Sequence, residues 1–160
     1  MKRIKMTLAA AILSSALLAS AGCGKKDVLR VDNAVVTLSP VDTNPSVLHF
    51  DVHGGEADVE LLSIFSGSAI RSELHESKMD PDTKMMSMEK LRSVNIPAGE
   101  TVKFEKGGLH GMVFGVNQLA RRTGEMEYEF VFSNRDRILV TTIVQEIDGT
   151  VPDERKALTE

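Results

Sequence analysis

The chain has 160 residues, of which 42% are apolar, 26% charged and 4% aromatic. This length suits one domain of ordinary size, and the composition excludes a disordered tail protein or a collagen-like chain. The formal net charge of −4, from 19 basic and 23 acidic residues, provides no basic surface for nucleic acid. The single cysteine excludes an intramolecular disulfide and any metal site built on several cysteines.

The first residues have the features of an export signal. A short basic start is followed by an apolar stretch, Met6 to Leu18, that is too short to span a bilayer as a helix. The stretch ends in Ser20-Ala21-Gly22-Cys23, which resembles the lipobox of bacterial lipoproteins, although Ser20 stands where leucine is usual. We predict a cleaved lipoprotein signal at 1–22, a lipid-modified Cys23 that anchors the chain to a membrane, and a location in the periplasm or cell envelope. Cleavage nearby that leaves a free thiol is the alternative.

The remaining chain is predicted to be all-β. Short apolar or alternating runs lie at Val47–Val52, Val59–Ile64, Ile70–His75, Val102–Phe104, Met112–Val116, Tyr128–Phe132 and Ile138–Val144. Their number, and the Gly, Pro, Asn and Asp residues between them, favour an antiparallel β-sandwich. We expect a tether at 23–30, one domain at 31–147 and a flexible tail at 148–160.

Three local features are predicted within this domain. The dense run Val59–Ile64 is predicted to be buried on both faces, and a helical turn is predicted at 117–122. Met112, Phe114 and Val116 are expected to share one face of their strand.

Methionines cluster in an otherwise polar segment. Four of them fall within the ten residues from Met79 to Met88, around the turn sequence Asp80-Pro81-Asp82. Thioethers in so polar a segment are exposed to water and to oxidation, and their softness suits Cu(I), for which imidazole is an acceptable partner. His75 lies just before this segment, and His110-Gly111-Met112 lies after it.

The spacing of His110 and Met112 puts both side chains on one face of a strand, where they can chelate one ion. Two ordinary explanations remain open at this point. In the first, Met112 fills the core, because it lies at alternate positions with Phe114 and Val116 and so shares their face. In the second, His75 is a solvated histidine on the face opposite Leu74.

Several segments together resemble the periplasmic copper chaperone family called PCuAC. They are Glu73-Leu74-His75-Glu76, the methionine-rich turn, the run Asn95 to Val102, and Gly107 to Met112. The family pattern is a histidine, ten residues, a methionine, twenty-one residues and then His-x-Met. Met88 lies twenty-one residues before His110, but twelve residues separate it from His75, whereas Met86 satisfies only the first interval. We interpret the difference as a two-residue insertion around 80–83.

The resemblance implies a cupredoxin-like Greek-key β-sandwich and copper transfer without catalysis. It implies Cu(I) ligands at His75, Met88, His110 and Met112, with Met86 as an alternative ligand. The implied partner is a copper acceptor, either the copper subunit of cytochrome c oxidase or an assembly factor. The copper valence and the identity of the acceptor stay open.

A second set of metal-binding side chains lies on one strand. His49, Asp51 and His53 alternate along it and suit a secondary site for Cu(II), although three solvated side chains are the simpler interpretation. Two rival functions remain: a metal-free envelope lipoprotein that uses the methionine hairpin as a protein-binding surface, and copper storage or tolerance. A blue-copper protein is disfavoured because its site needs a cysteine thiolate.

Overall fold

The computed structural model describes residues 27–152. These residues form ten strands and one short helix. The elements are β1 (Arg30–Thr37), β2 (Ser46–His53), β3 (Val59–Phe65), β4 (Arg71–Met79), β5 (Met86–Leu91), β6 (Val94–Ile96), β7 (Thr101–Phe104), β8 (Leu109–Phe114), α1 (Gln118–Thr123), β9 (Glu125–Phe132) and β10 (Arg137–Gln145). The predicted signal, Cys23 and residues 153–160 lie outside the described residues.

The strands form one strongly curved sheet in the order β5-β4-β8-β2-β1-β10-β9-β3-β6, and β7 also pairs with β2. The pairings are antiparallel except for β1 with β10, which run parallel. Because β8 is inserted between β4 and β2, three segments that are distant in the sequence become neighbours. This arrangement confirms the predicted all-β, cupredoxin-like fold.

The core lies between the two halves of the curved sheet. Phe50 stacks on Phe104 with ring centroids 4.0 Å apart and meets Phe130 at 4.8 Å. Along β2 every second residue is buried, which is the period expected of a strand with one face on a core. The even-numbered residues of β2 therefore face the core, and the odd-numbered residues, including His49, face outward.

One prediction about faces is wrong, and another holds only in part. The strand β3 is buried on one face only, since Leu62 and Phe65 are 41% and 60% exposed. In β8 the buried apolar residue is Val113, so Met112 and Phe114 share the outward face, and the alternative that Met112 fills the core is wrong. Val116 is buried, but it follows Gly115, whose φ of 65° interrupts the alternation after the strand ends.

Gly111 explains why β8 fits closely between its neighbours. A Cβ atom at this position would lie 2.9 Å from Cδ1 of Ile64 and 3.0 Å from Cβ of Leu48. The core side of β8 therefore has no room for a side chain here. Packing therefore favours glycine between His110 and Met112, while both flanking side chains face outward.

The methionine-rich segment forms a hairpin. Strands β4 and β5 pair from Leu74 with Leu91 to Met79 with Met86, and residues 80–85 connect them. The Asp80 carboxylate accepts hydrogen bonds from the backbone N–H groups of Asp82 and Thr83 at 2.8 and 2.9 Å, which closes the turn. The two-residue insertion inferred from the spacing falls in this connection.

The predicted helical turn is present as α1. Asn117 caps it by accepting a hydrogen bond from the backbone N–H of Ala120 at 2.9 Å. Gly124 ends it in the left-handed conformation. Within residues 27–152, no helix is long and apolar enough to cross a membrane.

Candidate metal-binding site

The sequence-predicted ligands lie on one outward face of three adjacent strands. In the register of β4 and β8, His75 is opposite His110 and Glu73 is opposite Met112. In the register of β4 and β5, Met88 is opposite Ser77. Because residues directly opposite each other project from the same face, these side chains share one surface. We call this surface the His/Met face; it comprises His75, Met88, His110 and Met112.

His75 has one ring nitrogen engaged and one without a partner. Its Nε2 lies 3.0 Å from Oε2 of Glu73, whereas its Nδ1 is buried and has no hydrogen-bond partner in the structure. The hydrogen bond from His75, and next that from Lys90, lowers the pKa of Glu73 to about 2. Glu73 is therefore an ionised acceptor at neutral pH, so Nε2 of His75 carries the proton. In the neutral imidazole this leaves a lone pair on the buried Nδ1.

His110 is fixed in the opposite way. Its Nδ1 lies 2.9 Å from the carbonyl oxygen of Gly108, which accepts a hydrogen bond, so this nitrogen carries the proton. The neutral ring therefore has its lone pair on Nε2. The centroids of the His75 and His110 rings are 6.1 Å apart. Two neighbouring imidazoles are thus held in different tautomers, each by a partner on the protein.

Met88 and Met86 differ in their relation to His110. Met88 lines a cavity of about 410 Å³ that is also lined by His110, His49 and Ser77. Because the serine side chain is small, the space above β4 between Met88 and His110 stays open. Met86 lies opposite Met79, two residues nearer the turn than Met88, and does not line this cavity.

The remaining methionines fall into two groups. Met79, Met85, Met86 and Met88 are each more than half exposed, whereas Met126 is only 4% exposed and belongs to the core. Met112 is half-buried and lies between Glu73 on β4 and Val47 on β2. The predicted exposure of the methionine-rich segment is therefore present in the structure.

The three residues proposed for a secondary site have different surroundings. Asp51 accepts a hydrogen bond from Nδ2 of Asn33 at 2.8 Å. The two ring nitrogens of His53 contact the Thr101 hydroxyl at 2.8 Å and the Asp32 carboxylate at 3.1 Å. His49 instead lines the cavity with His110. In residues 27–152, no group of three or more His, Cys, Asp or Glu side chains is arranged to hold a metal ion.

Sequence reasoning missed two contributors to the His/Met face. Glu73 fixes the His75 ring, and Ser77 leaves the space beside Met88 open. A usable signal was present for Glu73, because a carboxylate two residues before a histidine shares its face in a strand. Ser77 has no such signal, since its role depends on the register of β4 with β5.

The protein is a cupredoxin-like β-sandwich that carries histidines and methionines on one outward face. The chain belongs to the family described as "Putative lipoprotein LpqE-like", whose pattern matches residues 29–144. No curated protein matches the chain.

The chain is similar in fold to solved PCuAC domains. The copper-bound PCuAC domain from PmoF2 aligns with a TM-score of 0.60 and 11% identity over 76% of this chain and 96% of that one. The apo PCuAC domain from PmoF1 aligns with a TM-score of 0.59 and 10% identity over 76% of this chain and 97% of that one. The solution structure of CuI-DR1885 from Deinococcus radiodurans aligns with a TM-score of 0.58 and 17% identity over 78% of this chain and 82% of that one. At these identities the likeness establishes the shared fold.

Proposed function

We propose that the protein is an extracytoplasmic copper chaperone that carries Cu(I) on the His/Met face. The observation that carries the proposal is the Nδ1 atom of His75, which is buried, has no partner and is left unprotonated by the bond to Glu73. A buried polar atom without a hydrogen bond is uncommon, and a bound metal ion would give this one a partner. A carboxylate that holds the other nitrogen of a histidine is the usual support of a metal ligand.

The donor set fits Cu(I) better than a harder ion. Two neutral imidazoles and two thioethers are soft or intermediate donors, and none carries a negative charge. The proposed ligands are His75, Met88, His110 and Met112. Met88 is favoured over Met86 as a ligand because Met88 lines the same cavity as His110 and Met86 does not. Two solved structures of the same fold, the PCuAC domain from PmoF2 and DR1885 from Deinococcus radiodurans, are copper-bound, which agrees with this cargo.

The location of the ligands suits transfer. Met88 is 56% exposed and lies on β5, which is at one end of the strand order. His110, in contrast, is 5% exposed. An acceptor can therefore replace the exposed thioether first, while the buried imidazole still holds the ion. We propose that the acceptor is a copper centre of cytochrome c oxidase or a factor that assembles it, and that a lipid on Cys23 keeps the chaperone at the membrane.

The test is an anaerobic Cu(I) titration of the chain from residue 24 onward, in competition with a chromophoric chelator. This chain retains the whole core, which extends from Val31 to Val144. We expect one-to-one binding that is lost in the His110→Ala, Met112→Ala double variant. Equal Cu(I) affinity in both proteins would refute the assignment, and the exposed methionine hairpin would then be tested as a protein-binding surface.

A matched pair of variants tests the choice of methionine. Met88→Leu and Met86→Leu each remove one exposed thioether at nearly constant volume, so neither should change the fold. We expect Met88→Leu to weaken Cu(I) binding and Met86→Leu to have little effect. Met85→Leu, in the turn, is the control for loss of a thioether elsewhere in the hairpin. A larger loss in Met86→Leu than in Met88→Leu would assign the ligand to Met86 instead.

A further inference from the structure

One histidine beside the His/Met face has no role in the site so far. His49 projects outward from β2, on the side of β8 away from β4. The register of β2 with β8 pairs Val47 with Met112 and Leu48 with Gly111. Continuing this register by one residue sets His49 across from His110.

The environment of His49 differs from that of the other three histidines. His53, His75 and His110 each have a ring nitrogen in a hydrogen bond with a protein group. The His49 ring has no hydrogen bond within residues 27–152, although it is only half-exposed. Its two ring nitrogens are therefore available for a ligand, and reorienting the ring breaks no hydrogen bond of the described residues.

The cavity supplies the other donors. His49, His110 and Met88 line the same space of about 410 Å³, which Lys106 and Ile147 also line. In the described chain no third His, Cys, Asp or Glu side chain joins these two histidines, and the further soft donor that the cavity offers is a thioether. Met88 is the methionine that the cavity contains.

We propose that His49 is a further copper ligand, which joins His110 and Met88 on the β2 side of the cavity. This inference rests on the proposed function, because it adds a donor to the same site. Two imidazoles and one thioether form a complete three-coordinate set for Cu(I). His110 and Met88 then belong to two overlapping sets, one completed by His75 and Met112 on β4 and β8, and the other completed by His49 on β2.

Two overlapping sets give the ion two positions on one surface. When an acceptor removes a donor from one set, His110 keeps the ion and the other set supplies replacements. His49 is thereby a transfer ligand as well as a binding ligand. The Nε2 atom of His110 is the shared atom, because Nδ1 is occupied by the Gly108 carbonyl.

The test compares His49→Gln with His53→Gln in the chain from residue 24 onward. Both substitutions remove an imidazole from the same face of β2, but the His53 ring is already engaged by Thr101 and Asp32. We expect His49→Gln to weaken Cu(I) binding at least about tenfold, the smallest loss typical of even an indirect metal contact. His53→Gln should leave the affinity unchanged.

A second measurement uses the unsubstituted protein and Ag(I), a soft ion of the same charge that undergoes no redox change. Ring ¹⁵N resonances of a metal-bound histidine shift on addition of Ag(I), and we expect shifts for His49 and His110 and none for His53. If His75 and His110 shift while His49 does not, and His49→Gln binds Cu(I) normally, the inference is wrong and the proposed function stands. If the unsubstituted protein binds neither ion, the proposed function itself fails.

Discussion

Removal of the Glu73 carboxylate should release His75 from its fixed tautomer. Glu73 accepts hydrogen bonds from Nε2 of His75 at 3.0 Å and from Nζ of Lys90 at 2.9 Å. Lys90 is 62% exposed, so its ion pair contributes little, and the bond to the part-buried His75 is the one that matters. With a pKa of about 2, Glu73 is ionised throughout the neutral range and always acts as an acceptor.

The expected loss follows from this contact. Partners that orient a metal-bound histidine typically contribute about 10- to 100-fold to metal affinity. We expect Glu73→Ala to weaken Cu(I) binding toward the upper part of this range, because no acceptor remains for the His75 ring. Glu73→Gln should weaken Cu(I) binding less than Glu73→Ala does, since the amide oxygen can still accept the hydrogen bond, although it carries no charge.

Two assays check this reasoning. Long-range ¹H–¹⁵N correlation on the apo protein should show a proton on Nε2 of His75 and on Nδ1 of His110, and Glu73→Ala should mix the tautomers of His75 alone. Competition titration then measures the Cu(I) affinity. Glu76→Gln is the matched control: it removes the same charge on the same strand, but Glu76 pairs with Lys78 at 2.8 Å. Unchanged affinity in Glu73→Ala, with an unaltered His75 tautomer, would refute the role of the carboxylate.

Three further predictions concern stability and exposure. Gly111→Ala should lower the free energy of unfolding by about 1–3 kcal/mol in urea titrations because the core must shift, whereas Gly67→Ala, which meets no atom within 4 Å, should not. Burial raises the pKa of Tyr128 to about 12, so the unfolded chain loses this proton near pH 10 while the folded chain keeps it. The free energy of unfolding should therefore fall between pH 10 and 12, by up to about 3 kcal/mol, and Tyr128→Phe should remove this part of the pH dependence. Dilute peroxide should oxidise Met88 before Met126 as measured by peptide mass spectrometry, and equal rates would contradict their assigned exposure.

Much of the strand pattern is local and was predictable. Along β2 and β9 the alternation of apolar and polar residues corresponds directly to the buried and exposed faces. The sequence left the face of Met112 open, because it offers apolar residues on both faces of β8. Which face becomes the core depends on what packs against it, and here Val113 is buried while Met112 lies outside.

The edge strand β5 is one of the elements that the sequence pattern did not predict. The strand β5 consists of exposed or half-buried residues, since it lies at one end of the strand order and carries a methionine-rich outer face. It therefore lacks the apolar alternation by which a half-buried strand is recognised. Its existence follows from pairing with β4, which supplies the backbone hydrogen bonds that the sequence pattern does not indicate.

The sequence by itself determined which donor atoms are available: four exposed thioethers in one segment, His110 and Met112 two residues apart, and His75 upstream. The preference of thioether and imidazole donors for Cu(I) is a property of the residue types and does not depend on the fold. The tertiary structure decided which of them meet. Strand pairing joins residues far apart in the chain, so only the insertion of β8 between β4 and β2 puts His110 beside His75 and brings His49 to the same cavity.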